Sequence, residues 1–212
     1  MKNILALLAF LTLSGPSLFA QYTLKETNGR PIAEVKYENL IGDANLHPQM
    51  KNARVRFKNG KNAVMPVNID LISKTAFFSG EKNEKLGFVD QVISIEFLDS
   101  LPGQPSIKLY HIDGDYFHVL AEGKISLYKK VWKDIWQERE YNAASVSKTV
   151  VDKSAYFILN PTNTLVPVKN NKSFITALPD QKQKLEQYVK TEKINFKTDA
   201  DLKKVIDYYN TL

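Results

Sequence analysis

The C-terminal segment, residues 169–212, carries apolar stripes that can be buried only against another part of the chain. In its last stretch the apolar residues follow the i, i+3, i+4, i+7 spacing of an amphipathic helix: Leu202, Val205, Ile206 and Tyr209. Two earlier stretches show parts of the same spacing: Leu185, Tyr188 and Val189, and then Phe174, Ile175 and Leu178 within 172–178. Short helices gain most of their stability from tertiary packing, so this two- to three-helix module needs a sheet to cover.

The start of the last helix is marked by its capping residues. Thr198 is a good N-cap, because its hydroxyl can accept a hydrogen bond from the first turn. Asp199 and Asp201 follow in that turn, where the positive end of the helix favours carboxylates. The sequence therefore predicts a helix that begins directly after Thr198.

The N-terminus has the parts of a secretory signal peptide. Lys2 supplies a positive charge, residues 4–13 are almost entirely apolar, and Ala20 stands just before Gln21. The apolar run is shorter than the roughly 20 residues of a membrane span, and no later run is long enough. We therefore expect residues 1–20 to be removed, which leaves a periplasmic or secreted protein without a transmembrane segment.

Composition removes several chemistries. The chain has no cysteine, so thiol catalysis and zinc sites with cysteine ligands are unavailable, and an exported protein without disulfides depends on its core. The formal net charge is +6, but basic residues are interleaved with acidic ones, as in 82–85, which is typical of a solvated surface and not of a nucleic-acid interface. No phosphate-binding loop or G-x-S-x-G elbow occurs, so we predict no catalytic residue and no cofactor.

Between residues 30 and 169 the pattern is that of short antiparallel strands. The strand-like runs are 33–37, 54–57, 64–67, 75–78, 87–89, 92–98 and 165–166, and 101–105 reads as a loop. Asn59-Gly60 suits a hairpin turn, and Pro66 restricts its strand to an edge or a bulge. The sequence predicts one α+β domain, with a β-rich portion at 21–168 and the helical module at 169–212 packed on it.

Two consecutive hairpins between residues 107 and 130 are the best defined. Two-residue turns at Asp113-Gly114 and Glu122-Gly123 predict a meander with three cross-strand pairs: His111 with Tyr116, Leu109 with His118, and His118 with Leu127. One face then collects Ile107, Leu109, His111, Tyr116, His118, Leu120, Ile125 and Leu127. The other face collects Tyr110, Phe117, Val119 and Tyr128. Both faces are apolar, which indicates a sheet covered on two sides or curled on itself, and a bulge at Asp115 would partly exchange the faces.

Residues 131–152 fit no single pattern. Trp132 and Trp136 are four residues apart, which is helical spacing, but charged residues crowd them. The small, polar stretch 143–149 predicts a loop, and 155–159 predicts a strand. If the two tryptophans lie on an exposed face, they could form a sugar-binding platform; plain packing and a membrane-facing role are the alternatives.

One turn brings together side chains that could hold a metal ion. His111 and His118 share a face in the predicted register, about 7–8 Å apart at the backbone, and Asp113 and Asp115 lie in the turn between their strands. Imidazole with carboxylate suits Zn²⁺ or another divalent ion. Asp-Gly-Asp is also ordinary turn chemistry, and His118 is surrounded by apolar residues, so we predict that no metal is bound.

Several stretches of the chain match a known pattern of exported proteins. They are the Ala20-Gln21 junction, the aromatic-x-Val-Leu-x-x-Gly-Lys stretch at 117–124, the 172–178 helix with the Lys/Gln-rich helix after it, and the segment 201–210. This ordering, which spans most of the mature chain, resembles a broad family of small, uncharacterised exported proteins from Bacteroidetes. The resemblance implies a location and an architecture, and no activity.

These patterns favour an exported module that binds a partner and does not transform it. The expected partner is an envelope component, or a hydrophobic or saccharide ligand. An enzyme is one alternative, since the paired carboxylates of a glycoside hydrolase meet only in the fold, and an outer-membrane-associated protein is another. A cleft with converging titratable groups would favour the enzyme, and an exposed apolar or aromatic patch would favour binding.

Overall fold

The computed structural model describes residues 29–32, 39–98, 106–139, 146–162, 164–169 and 171–212. The signal peptide at 1–20, the strand at 33–37, the loop at 101–105 and the first part of the loop at 143–149 lie outside these ranges. Within them, no helix combines the length and the apolar character needed to cross a membrane.

The described strands form one twelve-stranded sheet. Its strands are β1 (Gly29–Pro31), β2 (Leu40–Ile41), β3 (Lys51–Phe57), β4 (Asn62–Asp70), β5 (Thr75–Ser79), β6 (Lys85–Phe88), β7 (Val92–Phe97), β8 (Lys108–Ile112), β9 (Asp115–Ala121), β10 (Ser126–Glu138), β11 (Ser147–Leu159) and β12 (Leu165–Val168). The order across the sheet is β1-β6-β5-β4-β3-β7-β8-β9-β10-β11-β12, and β2 pairs with β11 in parallel. This open, otherwise antiparallel sheet, followed by helices, confirms the predicted α+β class.

The strands from β3 to β9 surround the first hydrophobic cluster. Its largest buried members are Phe57, Met65, Ile69, Phe78, Phe88, Ile95, Phe97, Leu109 and Tyr116. Two strands separate β3 from β6 in the sheet order, yet the rings of Phe57 and Phe88 are 5.5 Å apart. This contact requires the sheet to curve between β3 and β6.

The first predicted hairpin is confirmed. Gly60 has a positive φ of 84° in the turn that joins β3 to β4, where Asn and Gly were expected for this reason. Pro66 lies in the part of β4 that pairs with β3, while only Asn68 to Asp70 pair with β5. Its missing N–H therefore faces an unpaired edge, as predicted.

The meander is confirmed in its first hairpin and wrong in its second. His111 pairs with Tyr116 and Leu109 with His118, as expected from the Asp113-Gly114 turn. His118 pairs with Lys129, however, and not with Leu127, because the register shifts between Leu127 and Tyr128. No bulge is found at Asp115; the irregularity lies at the other end of β9.

Residues 131–152 are mostly strand, which their pattern did not predict. β10 and β11 pair along their whole length, from Ser126 opposite Leu159 to Glu138 opposite Ser147. This hairpin extends past the end of β9. The predicted loop is wrong for Ser147 to Thr149, because these residues pair with Trp136 to Glu138 on one side and with β2 on the other.

Three helices follow the sheet and cover one part of it. They are α1 (Asn171–Thr176), α2 (Lys182–Thr191) and α3 (Asp199–Thr211). The apolar stripes of these helices form the second hydrophobic cluster together with the turn residue Ile125 and four residues of the sheet. The four sheet residues are Ala121, Leu127, Ile158 and Val168. The predicted cap is also present, since the Thr198 hydroxyl accepts a hydrogen bond from the backbone N–H of Asp201.

Polar contacts fix the position of α3 against the sheet. The Asn210 side chain accepts a hydrogen bond from the N–H of Ile125 (2.9 Å) and donates one to its carbonyl (3.0 Å). These bonds occupy the backbone N–H and C=O of Ile125, which lies in the β9–β10 turn. The predicted two-residue turn would instead have placed Ile125 in the hydrogen-bond ladder between the two strands. The hydroxyl of Tyr209 donates to Asp180 at 2.6 Å, and burial together with this bond raises the pKa of Tyr209 to about 12.

Candidate binding surface

The face of β8 to β11 that points away from both hydrophobic clusters carries a row of aromatic side chains. Tyr110 pairs with Phe117 in β8 and β9, and Tyr128 pairs with Phe157 in β10 and β11. Cross-strand partners share a face of the sheet, so these four rings meet on one surface, called here the aromatic face. The predicted grouping of Tyr110, Phe117 and Tyr128 is thereby confirmed.

The four rings contact each other edge to face. Phe117 lies 5.5 Å from Phe157 and 6.4 Å from Tyr128 between ring centroids, and Tyr110 lies 6.0 Å from Tyr128. All three pairs are close to perpendicular, an arrangement that aromatic rings prefer over direct stacking. Neither hydrophobic cluster includes these residues, but Phe117 and Tyr128 are themselves buried, so the packed rings support the aromatic face from below.

Trp132 and Trp136 continue the aromatic face along β10. Both are an even number of residues from Tyr128, and side chains at even spacing on a strand point to the same side. Trp132 is half-buried: Lys130 lies 5.3 Å from its ring, and its indole N–H donates to Asp134 at 3.3 Å. Trp136 is 63% exposed, the largest exposed fraction among the large apolar side chains described.

A second exposed apolar side chain lies close to Trp136. Trp136 pairs with Thr149, and Thr149 pairs in turn with Ile41 of β2. Ile41 is 61% exposed, so two large apolar groups face solvent on neighbouring positions of three strands. Thr149 lies between them, so the two exposed groups flank one polar position in the same row of the sheet.

An ion-pair cluster lies in the middle of the aromatic face, at Lys130 between Tyr128 and Trp132. Asp115 contacts Lys130 at 2.5 Å and Lys74, from the β4–β5 turn, at 2.7 Å. Burial alone would raise the pKa of Asp115, but the hydrogen bonds and positive charges of the two lysines outweigh it and lower this pKa. The carboxylate therefore stays ionised and holds Lys130 beside Trp132.

The four residues considered for a metal site are distributed among different contacts. His111 stacks on Tyr116 with ring centroids 4.8 Å apart, and Asp113 occupies the turn with a φ of 50°. Asp115 is neutralised by two lysines, and His118 lies in the electrostatic range of Lys129 and Asp199. Within the described ranges no three His, Cys, Asp or Glu residues are grouped as metal ligands.

The second polar cluster lies between α3 and the sheet, and the sequence patterns did not predict it. The carboxylate of Asp199 accepts hydrogen bonds from Tyr156 (2.5 Å) and Lys129 (2.9 Å), and His118 is cross-strand from Lys129. Burial raises the pKa of Asp199, but the bonds from Tyr156 and Lys129 outweigh this and lower it. Burial also lowers the pKa of His118, so the folded protein favours its neutral form.

This cluster predicts a loss of stability in acid. Below the ordinary histidine pKa of 6.5, the unfolded chain binds a proton at His118 more readily than the folded chain does. The free energy of unfolding should therefore fall as the pH drops from 7.5 to 5, and Asp199 should extend the fall below pH 4. Urea unfolding at several pH values measures it. The variant His118→Gln should flatten the slope between pH 7 and 5, and an unchanged slope would contradict the assignment.

Comparison with known proteins found no match to this chain. No family model matches the chain, and neither a curated protein nor a solved structure matches it. Its function therefore has to be inferred from the chemistry of its own surface.

The sequence patterns missed Phe157 but placed three members of this surface on one face and named two more as ligand candidates: Tyr110, Phe117 and Tyr128, and then Trp132 and Trp136. Trp132 and Trp136 were candidates for a ligand platform, but their helical spacing concealed that they share a strand face. The aromatic residues at 128, 132 and 136 all stand at even spacing, which was the available signal for a long strand.

Proposed function

We propose that this protein is an exported binding module that holds an extended saccharide on its aromatic face. One observation carries the proposal: Trp132 and Trp136 lie on the same side of β10 and continue the row of packed rings, with Trp136 largely exposed. Covering an exposed indole with an apolar surface is favourable, because it removes apolar area from water.

Saccharide chemistry suits this mixture of side chains. The C–H face of a pyranose ring packs against an indole, while its hydroxyls need polar partners nearby. Such partners lie on the same face, because Trp132 pairs with Lys153, Trp136 pairs with Thr149, and Asp134 stands between the two tryptophans. Four residues of strand separate the two indoles by about 13 Å, so a ligand that contacts both must be an extended chain.

The location that supports this ligand class is the cell envelope. Lys2, the apolar run at 4–13 and the Ala20-Gln21 junction motivate export to the periplasm or the exterior, where polysaccharides are abundant. N-terminal sequencing of the protein recovered from an envelope fraction should begin at or near Gln21. Recovery of the chain with Met1 from the cytoplasm would contradict export.

An enzyme is the alternative reading, and the ion pairs support it less well. Asp115 and Asp199 are the carboxylates of the two polar clusters. Each forms an ion pair with lysine, and the pKa of each is lowered. General acids require the opposite shift. An exposed apolar and aromatic surface favours binding.

The test uses the fluorescence of the two tryptophans, which are the only ones in the chain. Titration of the mature protein with chitohexaose and with solubilised peptidoglycan strands should change the emission. Trp136→Ala should weaken binding by about tenfold or more, which is the loss expected for a central aromatic contact. The matched control is Val64→Ala, which trims an exposed residue of β4 and should leave binding unchanged.

Two outcomes would overturn the proposal. Equal affinity of Trp136→Ala and the wild type would remove the aromatic face from binding. Emission changes with phosphatidylethanolamine vesicles, and none with either saccharide, would instead assign Trp136 and Ile41 to a lipid surface.

A further inference from the structure

A cleft of about 640 Å³ opens on the opposite side of the β8–β9 hairpin from the aromatic face. It lies between β1, the β4–β5 turn, the β6–β7 connection and the end of that hairpin. Its lining includes charged, aromatic and apolar side chains: Arg30, Lys74, Phe88, Val89, Asp90, His111 and Tyr116. The volume is in the range of small-molecule sites, roughly 300–1,000 Å³.

One wall of the cleft is apolar and well supported. Phe88 is buried and belongs to the first hydrophobic cluster, while Val89, next to it, is 58% exposed. His111 stacks on Tyr116 at an interplanar angle of 28°, and Tyr116 is itself buried and bonded to the backbone of Ala76. The imidazole is therefore held flat on a fixed ring, and it joins Val89 as a surface for a hydrocarbon body.

The charged groups that line the cleft are two cations, Arg30 and Lys74, and one carboxylate, Asp90. Arg30 is exposed in β1 and makes no ion pair or side-chain hydrogen bond with the residues that the structure describes. Lys74 makes one ion pair, with Asp115, and an ammonium group has three N–H donors, so two remain for a ligand. Asp90 also lines the cleft, but its carboxylate accepts a hydrogen bond from the side chain of Asn59 at 2.9 Å.

The backbone conformation of Lys74 sets where its side chain leaves the β4–β5 turn. Its φ of 55° is a left-handed conformation that residues other than glycine rarely adopt. Five other non-glycine residues of the described chain share this conformation, so it belongs to the turn and not to a ligand site. The pair with Asp115 further fixes the ammonium group at the cleft.

We propose that this cleft binds a small organic anion with an apolar body, such as a medium-chain carboxylate. Arg30 and Lys74 bind the carboxylate, and Phe88, Val89 and the His111 ring contact the hydrocarbon. Hydrogen bonds between charged partners are stronger than neutral ones, so the anion gains most of its preference from these two cations. The cleft lies on the other side of the β8–β9 hairpin from the aromatic face, and the two share only the Asp115 carboxylate, which pairs with both Lys74 and Lys130. The proposal does not depend on saccharide binding.

The test compares decanoate with decanol, which has the same hydrocarbon and no charge. Calorimetric titration of the mature protein should show decanoate binding, with decanol weaker by about tenfold. Arg30→Gln and Lys74→Gln should each reduce decanoate affinity by a similar factor and leave decanol unchanged. Lys74→Arg keeps the charge and should retain binding, which separates a lost contact from a damaged fold.

The control is Lys182→Gln, which removes an exposed cation on α2, far along the chain from the cleft. It should leave decanoate affinity unchanged. The proposal fails if decanoate does not bind, if decanol binds equally well, or if Lys182→Gln weakens binding as much as Arg30→Gln. Proton resonances of His111 and Val89 should shift with decanoate, and shifts confined to other residues would place the ligand elsewhere.

Discussion

Replacing Leu202 or Ile206 with alanine should lower the free energy of unfolding by about 2–5 kcal/mol. These residues are 1% and 0% exposed, and they belong to the second hydrophobic cluster, where α3 meets the sheet. Each substitution removes methyl and methylene groups from a packed interior and leaves a cavity that the neighbours fill only partly. Urea unfolding of the mature protein measures the change.

Lys203→Ala is the matched control for these variants, since it lies between them in the sequence and on the outer side of α3. Its side chain is half-exposed and pairs with Asp207 at 2.6 Å, and a surface ion pair one turn apart contributes little. We expect a change of less than about 0.5 kcal/mol. A chain truncated after Thr198 that unfolds at the same urea midpoint as the mature protein would contradict a structural role for α3.

Gly123→Ala should destabilise the fold by about 1–3 kcal/mol through loss of the Asn210 hydrogen bonds. A Cβ at position 123 would overlap the Asn210 amide group, with Cγ only 2.7 Å away. That amide binds both backbone groups of Ile125, so moving it leaves two polar groups of the turn without their partner. The position is therefore restricted by a neighbour, and not by its own φ.

A double-mutant cycle with Asn210→Ala separates this cause from a local effect on the turn. If the overlap with Asn210 is the reason, Gly123→Ala should cost little in the Asn210→Ala background, and the two changes should be strongly non-additive. Thermal unfolding of the four proteins measures the coupling. Additive losses would show that Gly123 matters for the turn itself.

Local patterns predicted those elements whose signals lie within a few residues. The Thr198 cap and the four-residue stripe of α3 depend on contacts one or two turns apart, and both are confirmed. Asn59-Gly60 and Asp113-Gly114 predicted their hairpins because positive φ is a property of the residues in the turn. The stripes also predicted that the helices need a sheet, which the second hydrophobic cluster supplies.

Tertiary contacts decided the register of β9 and β10. The sequence pattern predicts a two-residue turn at Glu122-Gly123. Asn210, 85 positions away in the chain, instead hydrogen-bonds to the backbone of Ile125 and keeps this residue out of the strand ladder. The observed register differs from the predicted one by two residues, so Tyr128 stays on its predicted face while the cross-strand partners change. No pattern within the hairpin contains this information, so the pairing of His118 with Lys129 could not be predicted.

The sequence by itself therefore determined which residues could serve a binding surface, and the tertiary structure decided how they are assembled. Trp132 and Trp136 were identifiable as candidate ligand contacts, yet only the pairing of β10 with β11 places them on the same face as Phe157. The cleft of Arg30, Lys74 and His111 joins three segments that are distant in sequence. Strand pairing and sheet curvature arise from contacts between distant segments, so composition and spacing do not specify either site.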